Sequence, residues 1–279
     1  MKKFENGSNY WIECFLGGEA RMSGTSPVLL SQQGAVVTLT LNRPDRMNAL
    51  DSGMAEVLRD AIEAIHSNAT ARVVVLRGEG RSFCCGGDVA AMHSHAGDLP
   101  GFIEQTINPF HACVLGLQRL QVPVIACAHG ALAGGGFSLA MACDFVVAAR
   151  SARFVVAYPK LGAPADGGLS FFMVQRLGSA RALEALTTGG QFTAEQALQL
   201  GLVNRVVDDE ALQQATEKWV AELLAVAPQS LSELKGLVAA QSAPALQAHL
   251  DREKAAFLRC AATPDFAARV AAFAQKRPA

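Results

Sequence analysis

Two glycine turns and one isolated aspartate hold most of the chemistry that this 279-residue sequence can offer. Gly86-Gly87 stands just before Asp88, and Gly134-Gly135-Gly136 follows about 50 residues later. Each comes after a short apolar run. Glycine lets a ligand approach the main chain closely. A glycine turn that opens a helix also presents N–H groups without intrahelical acceptors, backed by the positive end of the helix dipole. Such a turn suits negative charge, a phosphate or a transient oxyanion, although tight packing alone also accounts for it. The phosphate reading lacks its usual companions. No Gly-Lys-Ser/Thr follows, and the spacing is not Gly-x-Gly-x-x-Gly with an acidic residue about 20 positions on. Two such turns side by side would aim two N–H donors at one oxygen. Thioester and ester chemistry needs that arrangement when charge builds on a carbonyl.

The aspartate is Asp166, in Leu161-Gly-Ala-Pro-Ala-Asp-Gly-Gly-Leu-Ser170. Its spacing allows two readings. It is an N-cap for the apolar helix expected from about Phe171, or a carboxylate in an apolar pocket whose raised pKa suits it to moving protons. Asp88 likewise reads as the cap of a turn.

Strands and helices must position these groups. Val36 to Leu41 is rich in β-branched residues, reads as a strand and ends at Asn42-Arg43-Pro44-Asp45, a turn signal. Met54, Val57, Leu58, Ala61, Ile62 and Ile65 form one apolar helical face, with Asp51 and Ser52 placed to cap it. Val73 to Leu76 is apolar throughout, as in a strand buried on both faces. A polar loop over 92–100, a helix over 101–120 and a strand from Val124 to Ala128 lead into the glycine run and the apolar segment Phe137 to Cys143. The strand–glycine–helix order thus occurs twice. Phe145 to Ala148 and Phe154 to Ala157 read as further strands. Thr193-Ala-Glu-Gln196 is a capping box, and residues 201–207 form a short strand or turn. From Asp209 onward the chain reads as helices, with Leu212, Ala215, Trp219, Val220 and Leu223 on one face. The expected division is an N-terminal extension (1–27), an α/β core (28–206) and a helical C-terminal region (207–279).

Composition narrows the function classes. The formal net charge is −1, so no basic face for nucleic acid is announced. No apolar run is long enough to span a bilayer. The seven cysteines are odd in number, lack a Cys-x-x-Cys pair and sit mostly in apolar runs. That pattern points to a reducing cytoplasm rather than a disulfide framework. His93-x-His95 has no third ligand near it and reads as an exposed loop, so no metal site is expected.

Several of these stretches together resemble the enoyl-CoA hydratase/isomerase (crotonase) superfamily over roughly residues 28–279. They are Leu41-Asn-Arg-Pro-Asp-Arg-Met-Asn-Ala-Leu50, Phe83-Cys-Cys-Gly-Gly-Asp88, His129-Gly-Ala-Leu-Ala-Gly-Gly-Gly136, Ala142-Cys-Asp-Phe145, Gln196-Ala-Leu-Gln-Leu-Gly-Leu-Val-Asn-Arg-Val-Val207 and Ala272-Phe-Ala-Gln-Lys-Arg277. The resemblance implies a ββα spiral core, a C-terminal helical trimerisation region, and trimers or dimers of trimers. It also implies an acyl-CoA thioester substrate, with coenzyme A as part of that substrate rather than a resident cofactor. The N–H groups of Gly87 and Gly135 would form an oxyanion hole. Arg46, Met47, Ala49, Cys85, Gly86 and Asp88 would lie along the CoA moiety, and Lys276 would meet phosphate.

Hydratases of this family carry two glutamates, and the corresponding positions here are Ser138 and Tyr158. Asp166 stands where a subset of the family has its acid/base or nucleophilic aspartate. The surrounding sequence looks most like the ring-1,2-epoxyphenylacetyl-CoA isomerase branch and related double-bond isomerases, with Ala165 in place of the usual proline. One carboxylate suits a proton shuttle better than addition of water, which generally uses two groups. The expectation is therefore an isomerase with Asp166 as base, and with Ser138 and Tyr158 shaping the pocket. A hydratase, a thioester hydrolase and a catalytically silent CoA-binding scaffold are the alternatives.

Overall fold

Residues 26–241 and 243–275 are described by the structure, a computed structural model. Most of the expected N-terminal extension and Lys276 lie outside the described residues. A strand that the sequence reading did not foresee comes first, β1 (Val28–Gln33), antiparallel to β2 (Val36–Leu41). The chain then adds β3 (Val73–Gly78), β4 (Val124–Ala128), β6 (Phe145–Ala149) and β9 (Arg205–Val207), all parallel, to give a sheet of order β1-β2-β3-β4-β6-β9. A second sheet holds three short strands in the order β5-β7-β8 (Ala131–Ala133, Arg153–Val155 and Gln191–Thr193). Twice, at β4–β5 and at β6–β7, a strand of the large sheet is followed by one of the small sheet and then by a helix, which is the ββα repeat of the spiral.

The apolar run of β3 is buried on both faces. Val74 and Leu76 enter the main core, whereas Val73 and Val75 enter a second cluster behind the sheet. The main core is closed by α1 (Ser52–His66), whose expected face is buried except for Val57, which is partly covered. Asp51 caps it by accepting the Met54 N–H at 2.8 Å.

The expected loop over 92–100 is largely helical. Helix α2 (Val89–Ser94) and a 3-10 turn (Ala96–Asp98) precede α3 (Leu99–Arg119). Asp88, expected as a cap, accepts the Ala91 N–H, and Asp98 inside the expected loop caps the next helix by accepting the Gly101 N–H. The second glycine turn opens α4 (Gly135–Met141), but β5 stands between β4 and that turn, so the two strand–glycine–helix units are not identical. The strand near Phe154 ends at Val155, and a short helix α5 (Tyr158–Leu161) follows.

Helix α6 (Leu169–Leu177) begins earlier than expected and is followed by α7 (Ser179–Thr188). Helix α8 (Ala194–Gln199) carries the expected capping box with both of its hydrogen bonds. Helix α9 (Leu212–Ala225) seals the back of the large sheet with Leu212, Trp219, Val220 and Leu223. Helix α10 (Pro228–Ala240) buries no residue and exposes Leu234, Leu237 and Val238. Helices α11 (Ala243–Ala261) and α12 (Pro264–Gln275) fold back over the glycine turns, α11 along α3 and α12 against α2 and α5. No described helix is long and apolar enough to cross a membrane.

Candidate active site

Main-chain hydrogen bonds hold the two glycine turns together. Cys84 donates to the Ala131 carbonyl at 3.2 Å, and Ala133 donates back to Cys84 at 3.1 Å. Leu50 forms a parallel bridge to Gly87 by donating to the Gly86 carbonyl and accepting from the Asp88 N–H, both at 2.8 Å. In a parallel bridge the flanking residues make the bonds, so the N–H of Gly87 faces away from Leu50. Gly135 occupies the first turn of α4, where an N–H has no intrahelical acceptor. Among the described residues neither N–H has an acceptor. Both glycines line one cavity of about 260 Å³. The close approach depends on missing side chains: a Cβ on Gly136 would lie 2.1 Å from the Cys84 carbonyl oxygen.

Asp166 lines the same cavity and is buried. It does not cap α6; Gly168 occupies that position. The Tyr158 hydroxyl donates to its Oδ1 at 2.6 Å. The Ser138 hydroxyl lies 2.9 Å from the Tyr158 oxygen and donates to the Asp166 main-chain carbonyl at 2.8 Å. Burial pushes the Asp166 carboxyl up to about 7 from its ordinary 3.8; the tyrosine bond opposes the shift, and the nearby Glu253 adds to it. Burial, and then the neighbouring carboxylate, hold the Tyr158 hydroxyl well above its ordinary range, so it stays a donor. Around this group the walls are apolar, with Phe110 from α3, Phe257 from α11 and Phe273 from α12.

The peptide after Asp166 is held from two sides. Gly167 and Gly168 have φ of +61° and +79°, a backbone region that favours glycine. Gly167 donates to His111 Nε2 at 3.2 Å, and Gly168 donates to Glu253 Oε2 at 2.7 Å. Burial lowers the His111 pKa to about 4, so near neutral pH the ring accepts this bond through an unprotonated Nε2.

The residues expected along CoA fall into two groups. Cys85 and Gly86 line the cavity beside Gly87. Arg46, Met47, Ala49 and Asp88 do not line it. Asp88 is buried, caps α2 and pairs with Arg43 at 3.3 Å, while Arg46, mostly exposed, lies 3.7 Å away. Met47 and Asn48 both have positive φ, an uncommon conformation outside glycine. The buried Asn48 amide fixes it by donating to the carbonyls of Glu79, Ser82 and Phe83. Sequence reasoning missed His111, Glu253, Asn48 and the aromatic walls. Of these only Asn48 and Phe273 stood inside quoted motifs.

Comparison with known proteins fits this geometry. A model of the enoyl-CoA hydratase/isomerase family matches residues 31–279. The chain is 34% identical over 254 residues to the 1,2-epoxyphenylacetyl-CoA isomerase of Escherichia coli (strain K12), covering 90% of this chain and 96% of that protein. It is 32% identical over 252 residues to the 2,3-dehydroadipyl-CoA hydratase of the same strain, covering 90% and 97%. The crystal structure of an enoyl-CoA hydratase from Bacillus halodurans superposes with a TM-score of 0.84 at 25% identity, over 88% of this chain and 100% of that one. The spiral of paired strands is thus the crotonase fold. The chain belongs to the enoyl-CoA hydratase/isomerase family, enzymes that act on acyl-CoA.

Proposed function

We propose that this enzyme isomerises an enoyl-CoA thioester by moving a proton through Asp166. The observation that carries this reading is the pairing of one carboxylate, raised to about 7, with two acceptor-less glycine N–H groups on the same cavity. The thioester carbonyl accepts from Gly87 and Gly135. The Asp166 carboxylate removes a proton from C2 of a 3-enoyl group, and the electron pair moves onto the carbonyl oxygen as a dienolate. Its collapse returns the same proton from Asp166 to C4, leaving the double bond at C2–C3. Tyr158 holds Oδ1, which leaves Oδ2 for the proton.

Removing one oxyanion donor costs about 10²–10³ in rate in comparable sites. Water addition has less support here, because Ser138 and Tyr158 replace carboxylates and their hydroxyls are engaged with each other and with Asp166. The exposed Leu234, Leu237 and Val238 on α10 support self-association, and the trimer or dimer of trimers implied by the resemblance would cover them. The test is product analysis with 3-enoyl-CoA and 2-enoyl-CoA. We expect double-bond migration. A 3-hydroxyacyl product as the main outcome, or release of the CoA thiol, would overturn the proposal in favour of a hydratase or a hydrolase.

A further inference from the structure

We propose that Glu253, on α11 and outside the cavity lining, is a positioning residue whose charged side chain clamps the Asp166 turn and sets the carboxylate's aim. The inference rests on Asp166 being the base.

Glu253 is buried. Its Oε2 accepts the Gly168 N–H at 2.7 Å, and its Oε1 accepts the Ser170 N–H at 3.3 Å and the Ser170 hydroxyl at 2.5 Å. One side chain from the C-terminal region thus takes the Gly168 and Ser170 N–H groups at the start of α6, while the Leu169 N–H between them bonds the Asp166 carbonyl at 3.3 Å. Placing negative charge at a helix N-terminus is favourable in itself. The sequence separation of 85 residues means that only docking of α11 creates the clamp. His249 completes it from the side. The Ser170 proton goes to Glu253, so His249 Nε2, 2.7 Å from the serine oxygen, donates to Ser170. This Ser–His–Glu cluster is not a nucleophilic triad. Serine and glutamate both meet the same ring nitrogen, and the glutamate takes the serine proton directly.

Glu253 also acts at a distance. Its charge adds to the upward push on Asp166. The other ionisable groups near the turn are Tyr158 and Lys160 from α5, His111 from α3, and Asp251, Lys254 and His249 from α11. Asp265 and Arg269 of α12 lie near Gly162 and pair with each other at 2.7 Å. Of these charged neighbours only Glu253 contributes to the raised state of Asp166, while Tyr158 opposes it.

The test compares Glu253→Gln, Ser170→Ala and Asp166→Asn, reading kcat, KM and the pH dependence of kcat, with thermal melting as a check on folding. Glutamine retains one acceptor but sets an NH₂ against the Ser170 N–H and carries no charge. We expect Glu253→Gln to lower kcat by about 10–100-fold, as misplaced catalytic groups do, with KM changed by less than about twofold. The acid limb should move to lower pH by up to about one unit, because loss of a neighbouring negative charge makes Asp166 a weaker base. Ser170→Ala keeps the charge and should lower kcat by about 2–5-fold with the acid limb unmoved.

An unshifted acid limb in a folded Glu253→Gln enzyme would overturn the proposal, as would a kcat within twofold of wild type. If Glu253→Gln does not fold, Ser170→Ala decides: unchanged kcat overturns the clamp, and a loss at constant KM supports it. Full activity in Asp166→Asn would instead remove the proposed base itself. An inactive Asp166→Asn beside an unaffected Glu253→Gln would remove only this inference.

Discussion

Asp88 and Asp166 are the same residue at nearly the same burial, each beside a glycine pair, and the chain uses them in opposite ways. Asp88 follows Gly86-Gly87, caps α2 through the Ala91 N–H and pairs with Arg43. Asp166 precedes Gly167-Gly168, meets one tyrosine hydroxyl and has no cation bonded to its carboxylate among the described residues. A buried carboxylate that is paired and capped is part of the scaffold. One that is left among aromatic rings is held near its titration point, where it can both take and return a proton. What separates them is wiring, since burial is shared.

The sharpest way to break this contrast is paired substitution. Asp166→Asn should lower kcat by about 10³-fold, within the usual span for loss of a general base, with the fold intact. Asp88→Asn should leave kcat within a few-fold and lower stability by about 1–3 kcal/mol through lost charge-assisted bonds. Steady-state kinetics and urea melts on the two variants check both halves.

The second expected effect is on stability against pH. The folded state holds the Asp166 proton up to about pH 7, whereas the unfolded chain releases it near 3.8. Between those values the folded state binds more protons, so this group's contribution to stability is full below 3.8 and is lost as pH rises through 7. At about 1.4 kcal/mol per unit, Asp166→Asn should be more stable than wild type by about 2–4 kcal/mol at pH 8. The two should converge near pH 4. Urea melts across that range decide it, and a constant difference would contradict the assignment.

The smallest effect sharpens the role of Tyr158. Its hydroxyl bond favours the ionised Asp166. Tyr158→Phe should therefore move the acid limb of kcat upward by about 0.5–1 unit and lower the rate at pH 7 by about 2–5-fold. A downward move would mean that the hydroxyl serves the protonated acid instead.

Much of this was legible in the sequence, because it lies in local signals. The Asp51 cap, the Thr193–Gln196 capping box and the apolar β3 run each follow from neighbouring residues. Both glycine turns could be picked out, since only glycine tolerates their closeness. The spacing around Asp166 could not decide between cap and base. Bonds to its turn come from His111 and Glu253, 56 and 85 residues away, and no local pattern announces such partners. Strand β1 was missed for a related reason: it sits at an edge and its last residues, Ser31-Gln32-Gln33, are polar and partly solvated. Helix α2 was hidden because it is only six residues long and runs into the polar stretch that begins at His93-Ser94.

The central claim, that Asp166 rather than any other group moves the proton, is tested most directly by isotope exchange. Wild type, Asp166→Asn and Asp88→Asn would be incubated in D₂O with a 3-enoyl-CoA thioester, following deuterium at C2 and C4 and the position of the double bond by NMR and mass spectrometry. We expect migration and exchange in wild type and Asp88→Asn, and neither in Asp166→Asn while it still binds the thioester. Exchange that persists in Asp166→Asn would contradict the claim and place the base elsewhere in the cavity.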